Sequence, residues 1–165
     1  MSSPGKNEVE LEWWGPGTVP PPASLVWCNF PDTPDLGKPG PKPRPGLVFK
    51  VAFAEDPPGD RFYILIAYGT SKLKIGKRPD DFTIANSATL DLLRLPQATR
   101  FDLDNMIWLP WARPFFCPRK MSDQFTTPMV SVLPGELQRM LGWTMARRES
   151  RGMTDAYRAA PPEPS

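Results

Sequence analysis

The sequence contains no histidine. That excludes Ser-His-Asp and Cys-His nucleophiles and the paired-histidine acid–base scheme of many ribonucleases. Cysteine is nearly absent too. Cys28 and Cys117 are the only two, so no cluster with zinc spacing exists. The pair reads as small buried hydrophobes in a reducing compartment rather than as a disulfide. There is no run of about 18 apolar residues to span a membrane, and Met1 to Gly17 lacks the apolar core of a signal peptide. These absences predict a cytoplasmic protein with no membrane partner. No GxGxxG or GxxxxGK[ST] phosphate loop occurs, and a net charge of +2 is too small to single out a partner. Any chemistry must come from Arg, Lys, Thr, Ser, Tyr or carboxylates.

Proline, by contrast, is abundant, at 23 of 165 residues. Proline breaks helices and cannot donate to a central sheet ladder, so it belongs in tails, loops and strand edges. This argues against a helical bundle. The length suits one domain with tails. Residues 1–22 read as a flexible arm ending in three prolines. Its anchors, Trp13 and Trp14, either dock on the domain or form a partner site. Residues 23–148 carry the folded domain, and 149–165 read as a disordered tail.

Within the domain, residues 24–30 are rich in strand formers and bounded by prolines. A long Pro/Gly loop follows over 31–45. Residues 46–54 and 61–68 read as a hairpin with an acidic turn, the second strand apolar almost throughout and so buried on both faces. Phe49, Val51, Phe53, Tyr63, Leu65 and Ala67 are expected on one inward face. Shorter strands are expected at 81–85, 99–103, 106–111 and 130–133, a helical turn at 87–95, and irregular chain over 112–128. Pro134 to Arg148 is the best helix, with proline at its first position. Leu137, Met140 and Leu141 would pack inward, and Arg147 and Arg148 would complement the C-terminal dipole. The pattern predicts a mostly β fold: a small curled sheet with one C-terminal helix packed on it.

Between Lys38 and Arg78 there are nine Lys and Arg against three acidic residues. The acids sit in the hairpin turn, and most of the bases sit in the two loops at the opposite end. An antiparallel hairpin brings those loops together, gathering Lys42, Arg44, Lys72, Lys74, Lys77 and Arg78 at one edge. A clustered cationic edge suits phosphates; an ordinary solvated loop surface is the plainer alternative. Trp108, Trp111, Phe115 and Phe116 suit either a core or interface or base stacking.

The segment from Lys38 to Val48, a Gly-containing loop ending in Arg44-Pro45 before an apolar strand, resembles the signature of the PemK/MazF toxin family. Thr70 follows an apolar strand, as that family's catalytic threonine does. Leu25 to Phe30 is similar to the family's opening strand, the basic loop to Pro79 running into Phe82-Thr83-Ile84 also fits, and the likeness covers roughly residues 23–148. Two departures stand out: Pro43 precedes Arg44, where the family commonly has Gly-Arg-Arg-Pro, and Pro22-Ala23-Ser24 replaces the usual Gly-Asp before the first strand. The resemblance implies an SH3-like barrel, usually a homodimer, that cleaves single-stranded RNA without metal or other cofactor and is neutralised by an antitoxin protein. The ribose 2′-OH would attack the adjacent phosphate. Arg44 and Thr70 would be catalytic, with Lys42, Ser71, Lys72, Lys74, Lys77 and Arg78 binding RNA. Arg44 suits the task because a guanidinium presents fixed donors to phosphate oxygens. Its plainer role is an ion pair with Asp32 or Asp35. That of Thr70 is a turn hydroxyl bonded to its own backbone. A non-catalytic barrel used as an interaction module, possibly phage-encoded, is the competing function.

Overall fold

The computed structural model describes residues 9–31, 37–53, 61–73, 81–120 and 126–152. The fold is mostly β, a strongly curled sheet with a C-terminal helix. Its strands are β1 (Glu12–Trp13), β2 (Ser24–Cys28), β3 (Arg44–Phe53), β4 (Phe62–Thr70), β5 (Phe82–Ile84), β6 (Thr99–Phe101), β7 (Ile107–Pro110), β8 (Ala112–Arg113) and β9 (Met129–Val132). Among the described residues a short 3-10 turn (Pro16–Thr18) and two α-helices complete it: α1 (Ser87–Leu93) and α2 (Gly135–Ser150). The main sheet runs β5-β6-β4-β3-β2-β9, with β7 also pairing β4.

β3 and β4 form the antiparallel centre, with Gly46 opposite Tyr68 and Phe53 opposite Phe62. The β-branched and aromatic run of β4 favours an extended chain, and both of its faces are covered. Leu65 and Ala67 join one core cluster with Leu47, Phe101 and Leu141. Ile64 and Ile66 join a second with Val48, Trp111 and Phe116. The expected common face for Phe49, Val51 and Phe53 does not form. The β3/β4 register shifts between Val48 and Lys50, and such a bulge moves every later side chain to the other face. Phe49 therefore packs with the first cluster and Val51 with the second, while Phe53 is 58% exposed.

The N-terminal segment docks on the domain through Leu11, which packs against the second cluster, and the residues that follow it. β1 pairs with β8, a short strand inside the stretch expected to be irregular. Trp14 packs against the second cluster, and its indole N–H donates to the Phe116 carbonyl at 3.0 Å. Trp13 meets the Tyr63 ring edge-on at 5.6 Å. Trp111, Phe115 and Phe116 are core residues, and Trp108 is packed against the first cluster.

α1 is capped by Asn86, whose side chain accepts the Thr89 N–H, the standard N-cap contact. α2 begins one residue later than expected: Pro134 is the extended N-cap residue, with ψ 159°, and Leu133 is buried ahead of the helix. Leu137, Leu141 and Met145 face the first cluster. Met140 does not; it is 45% exposed and lies near Trp143, itself 67% exposed. Arg148 also departs from its expected surface role. It is buried and reaches the Leu103 carbonyl and Asp104. No helix among the described residues is long and apolar enough to cross a membrane.

Candidate functional site

The β3/β4 register, carried two residues past Gly46 and Tyr68, sets the start of β3 beside the end of β4. Arg44 and Thr70 consequently line one cleft of about 160 Å³. Its other walls are Trp27, Lys42, Pro43, Pro45, Gly69, Ser71, Pro96, Gln97 and Thr99. Among the described residues no carboxylate lines it, whereas two cations and three hydroxyls do. Such a lining receives an anion without repelling it and offers several donors to its oxygens.

Gly69 makes the cleft possible. A Cβ at this position would lie 2.6 Å from the Thr99 methyl and 2.9 Å from the Pro45 carbonyl oxygen. Only hydrogen fits where β3, β4 and β6 converge. The next residue, Thr70, is 4% exposed, and its hydroxyl oxygen accepts the Lys72 N–H at 3.1 Å. That is the turn contact anticipated as its plainer role. It leaves the hydroxyl proton available for donation. Arg44 is half-buried and lies over the Tyr68 ring, 5.8 Å from its centroid. Among the described residues it has no acidic partner. Asp32 and Asp35, the partners considered for it, lie outside those residues.

Lys42 and Ser71 line the cleft. Lys72 is exposed next to it, its carbonyl accepting the Nε–H of Arg100 at 3.0 Å. Lys74, Lys77 and Arg78 lie outside the described residues. Sequence reasoning missed Trp27, Pro96, Gln97 and Thr99, which reach the cleft from distant segments with no motif of their own.

Behind the cleft a charged cluster ties the sheet to α2. Arg100 is buried and ion-paired with Asp81. Asp81 also accepts the Leu103 N–H, while Asp102 accepts N–H donors from Asp104 and Asn105. Burial pushes the Asp81 carboxyl up, against the lowering effect of Arg100 and the Leu103 N–H. The carboxylates of Asp81, Asp102 and Asp104 lie within 4.8 Å of one another. Arg100 and Arg148 supply the countercharge there, so this cluster reads as a structural junction rather than a cation site. No family model matches this chain, and no curated protein matches it either.

Proposed function

We propose that the Arg44–Thr70 cleft binds a phosphodiester of single-stranded RNA and cleaves it without a metal. The supporting observation is a lining of cations and hydroxyls, with no carboxylate among the described residues, built at the converging ends of two central strands. In this reading the ribose 2′-oxygen attacks phosphorus and the P–O5′ bond breaks. A 2′,3′-cyclic phosphate and a free 5′-OH result. The 2′-OH proton leaves to solvent and the departing 5′-oxygen takes one up. Among the described residues no strong base lines the cleft, so in this reading stabilisation of the charge building on the phosphate oxygens carries the rate. Arg44 supplies that charge and Thr70 donates one hydrogen bond. Single-stranded RNA is the favoured substrate because unpaired bases can be splayed and read individually. An RNA-cleaving toxin held in check by an antitoxin protein, acting as a homodimer in the cytoplasm, is the biological setting this chemistry suits.

The deciding experiment is incubation of a long RNA with the protein in EDTA, followed by mapping of the new 5′ ends. Arg44→Lys should cleave about 100- to 1,000-fold more slowly, the usual effect of losing one preorganised donor to a developing oxyanion. Lysine keeps the charge but lacks the fixed fork of donors. Wild-type protein that leaves every RNA intact would remove the reading. A second reading, a non-catalytic interaction module, draws on a different observation. Met140 and Trp143 stand exposed on α2, beside a groove of about 850 Å³ shared with Asp81, Phe82 and Thr83.

A further inference from the structure

The Arg44–Thr70 cleft continues past Trp27. Trp27, Pro43 and Pro96 also wall a second cavity of about 530 Å³. This is within the range of roughly 300–1,000 Å³ typical of small-molecule sites. Its far side is formed by Asn29, Cys117, Pro118, Arg119 and Lys120.

Arg119 is unusual here. It is only 9% exposed, and its guanidinium lies over the Trp27 ring, 5.0 Å from the centroid. It donates one hydrogen bond, to the Arg94 carbonyl at 2.5 Å. Among the described residues it has no carboxylate partner. A guanidinium carries five N–H donors, and a desolvated cation without an anion is costly. The same burial draws its pKa down from the ordinary arginine value. Lys120, exposed beside it, adds a second cation to the cavity wall. Most of the rest of the wall is apolar, made by Trp27, Cys117 and prolines 41, 43, 96 and 118, with Asn29 as a further polar side chain. A largely apolar wall with one buried and one exposed cation matches a nucleotide, whose base is planar and apolar on its faces and whose phosphate is anionic.

We propose that this cavity is a second nucleotide subsite. The base of the residue next to the scissile phosphate lies against the Trp27 and proline walls, and Arg119 and Lys120 hold its phosphate. The assignment rests on the reading of the Arg44–Thr70 cleft as the place where RNA is cleaved. Arg119 is a binding and positioning residue in this scheme, remote from the reacting atoms.

The test uses the full chain and a 2′-O-methyl RNA tetranucleotide, which cannot be cleaved, titrated at several salt concentrations. Cleavage of an unmodified RNA is measured in parallel. Arg119→Gln should weaken tetranucleotide binding about 10- to 100-fold, as expected for losing hydrogen bonds to a charged group. It should raise KM for cleavage while leaving kcat nearly unchanged. Lys120→Ala, at an exposed position, should fold even if Arg119→Gln does not. It should reduce the slope of log affinity against log salt by about 0.7, the value for one phosphate contact on a single strand. Wild-type affinity and salt slope in folded Lys120→Ala, with RNA still cleaved by the parent, overturn the subsite and spare the cleavage reading. Inorganic phosphate competing as strongly as the tetranucleotide also overturns it, because the site would then be a simple anion hole. A parent protein that neither binds nor cleaves RNA overturns both readings together.

Discussion

Gly69→Ala probes the strand crossing on which the cleft depends. The added Cβ would sit 2.6 Å from the Thr99 methyl, 2.9 Å from the Pro45 oxygen and 3.0 Å from the Pro45 ring. The methyl contact can relax by a small side-chain movement, but the carbonyl contact cannot relax without moving β3. Overpacking of a well-packed site costs about 1–3 kcal/mol, and the backbone contact places this case toward the upper end. For a chain of this size each kcal/mol shifts Tm by about 2–4 °C, so thermal unfolding should show a clear decrease. Thr99→Ser provides the diagnostic second step. It deletes the methyl while a serine hydroxyl can still donate to the Gln97 carbonyl, as Thr99 does at 2.9 Å. Combined with Gly69→Ala it should recover part of the lost stability, leaving the share due to Pro45. Wild-type Tm in Gly69→Ala would refute the close approach of β3, β4 and β6. An unrescued double mutant would show that Thr99 is not the obstacle.

Leu141→Ala should destabilise by about 2–5 kcal/mol, as for a buried leucine, whereas Met140→Ala, on the exposed side of the same helix, should stay within about 0.5 kcal/mol; equal losses in a denaturant titration would contradict the helix orientation. Trp14→Ala should cost roughly 2–3 kcal/mol, below the 3–5 typical of fully buried aromatics because Trp14 is half-buried, and a variant as stable as the parent would mean that the N-terminal segment does not dock. Burial and the nearby Cys117 hold the Cys28 thiol well above its ordinary pKa, so the reactive thiolate is disfavoured there. Iodoacetamide at pH 8 should therefore modify Cys117 alone in the folded protein and both cysteines after denaturation; rapid native labelling of Cys28 would contradict its burial.

Legibility in the sequence followed the range of the interactions. The central hairpin was readable because its apolar runs and the opposed charge of its turn and its open end are local features. Antiparallel pairing then brings Arg44 to Thr70 by geometry alone. The bulge between Val48 and Lys50 is not marked by a glycine, and it moves Val51 off the face that strict alternation would give it. Buried charges were equally silent. Arg100 meets Asp81 from 19 residues away and Arg148 meets Asp104 from 44, so each arginine looked like surface charge. Arg148 even fitted a plausible role at the helix C-terminus. Trp27 was legible as a strand residue, but its position between two cavities depends on Pro96 and Arg119, which no pattern connects to it.

The location of the cleft follows from how β4 changes partners. Tyr63 to Ile66 pair with β7, whereas Gly69 and Thr70 pair with β6. Between them the Tyr68 carbonyl accepts the Asp102 N–H at 3.1 Å, bridging the step from one neighbour to the next. A strand that exchanges neighbours within a few residues leaves a gap in side-chain coverage at its far end. Here Gly69 contributes no side chain to fill that gap, and prolines 43, 45 and 96 around it have no N–H to close it with ladder hydrogen bonds. The opening is bounded by the ends of β2, β3, β4 and β6 together with the loop residues Lys42, Pro43, Ser71, Pro96 and Gln97. β3 and β4 bring Arg44 and Thr70 to this opening from paired strands, and the proposed reaction would draw on that because charge stabilisation depends on donors that need no reorganisation. Pro43 fixes its own backbone φ one residue ahead of Arg44 and so narrows the conformations open to the chain there; under the proposed function this would reduce the entropy that Arg44 loses on engaging a phosphate.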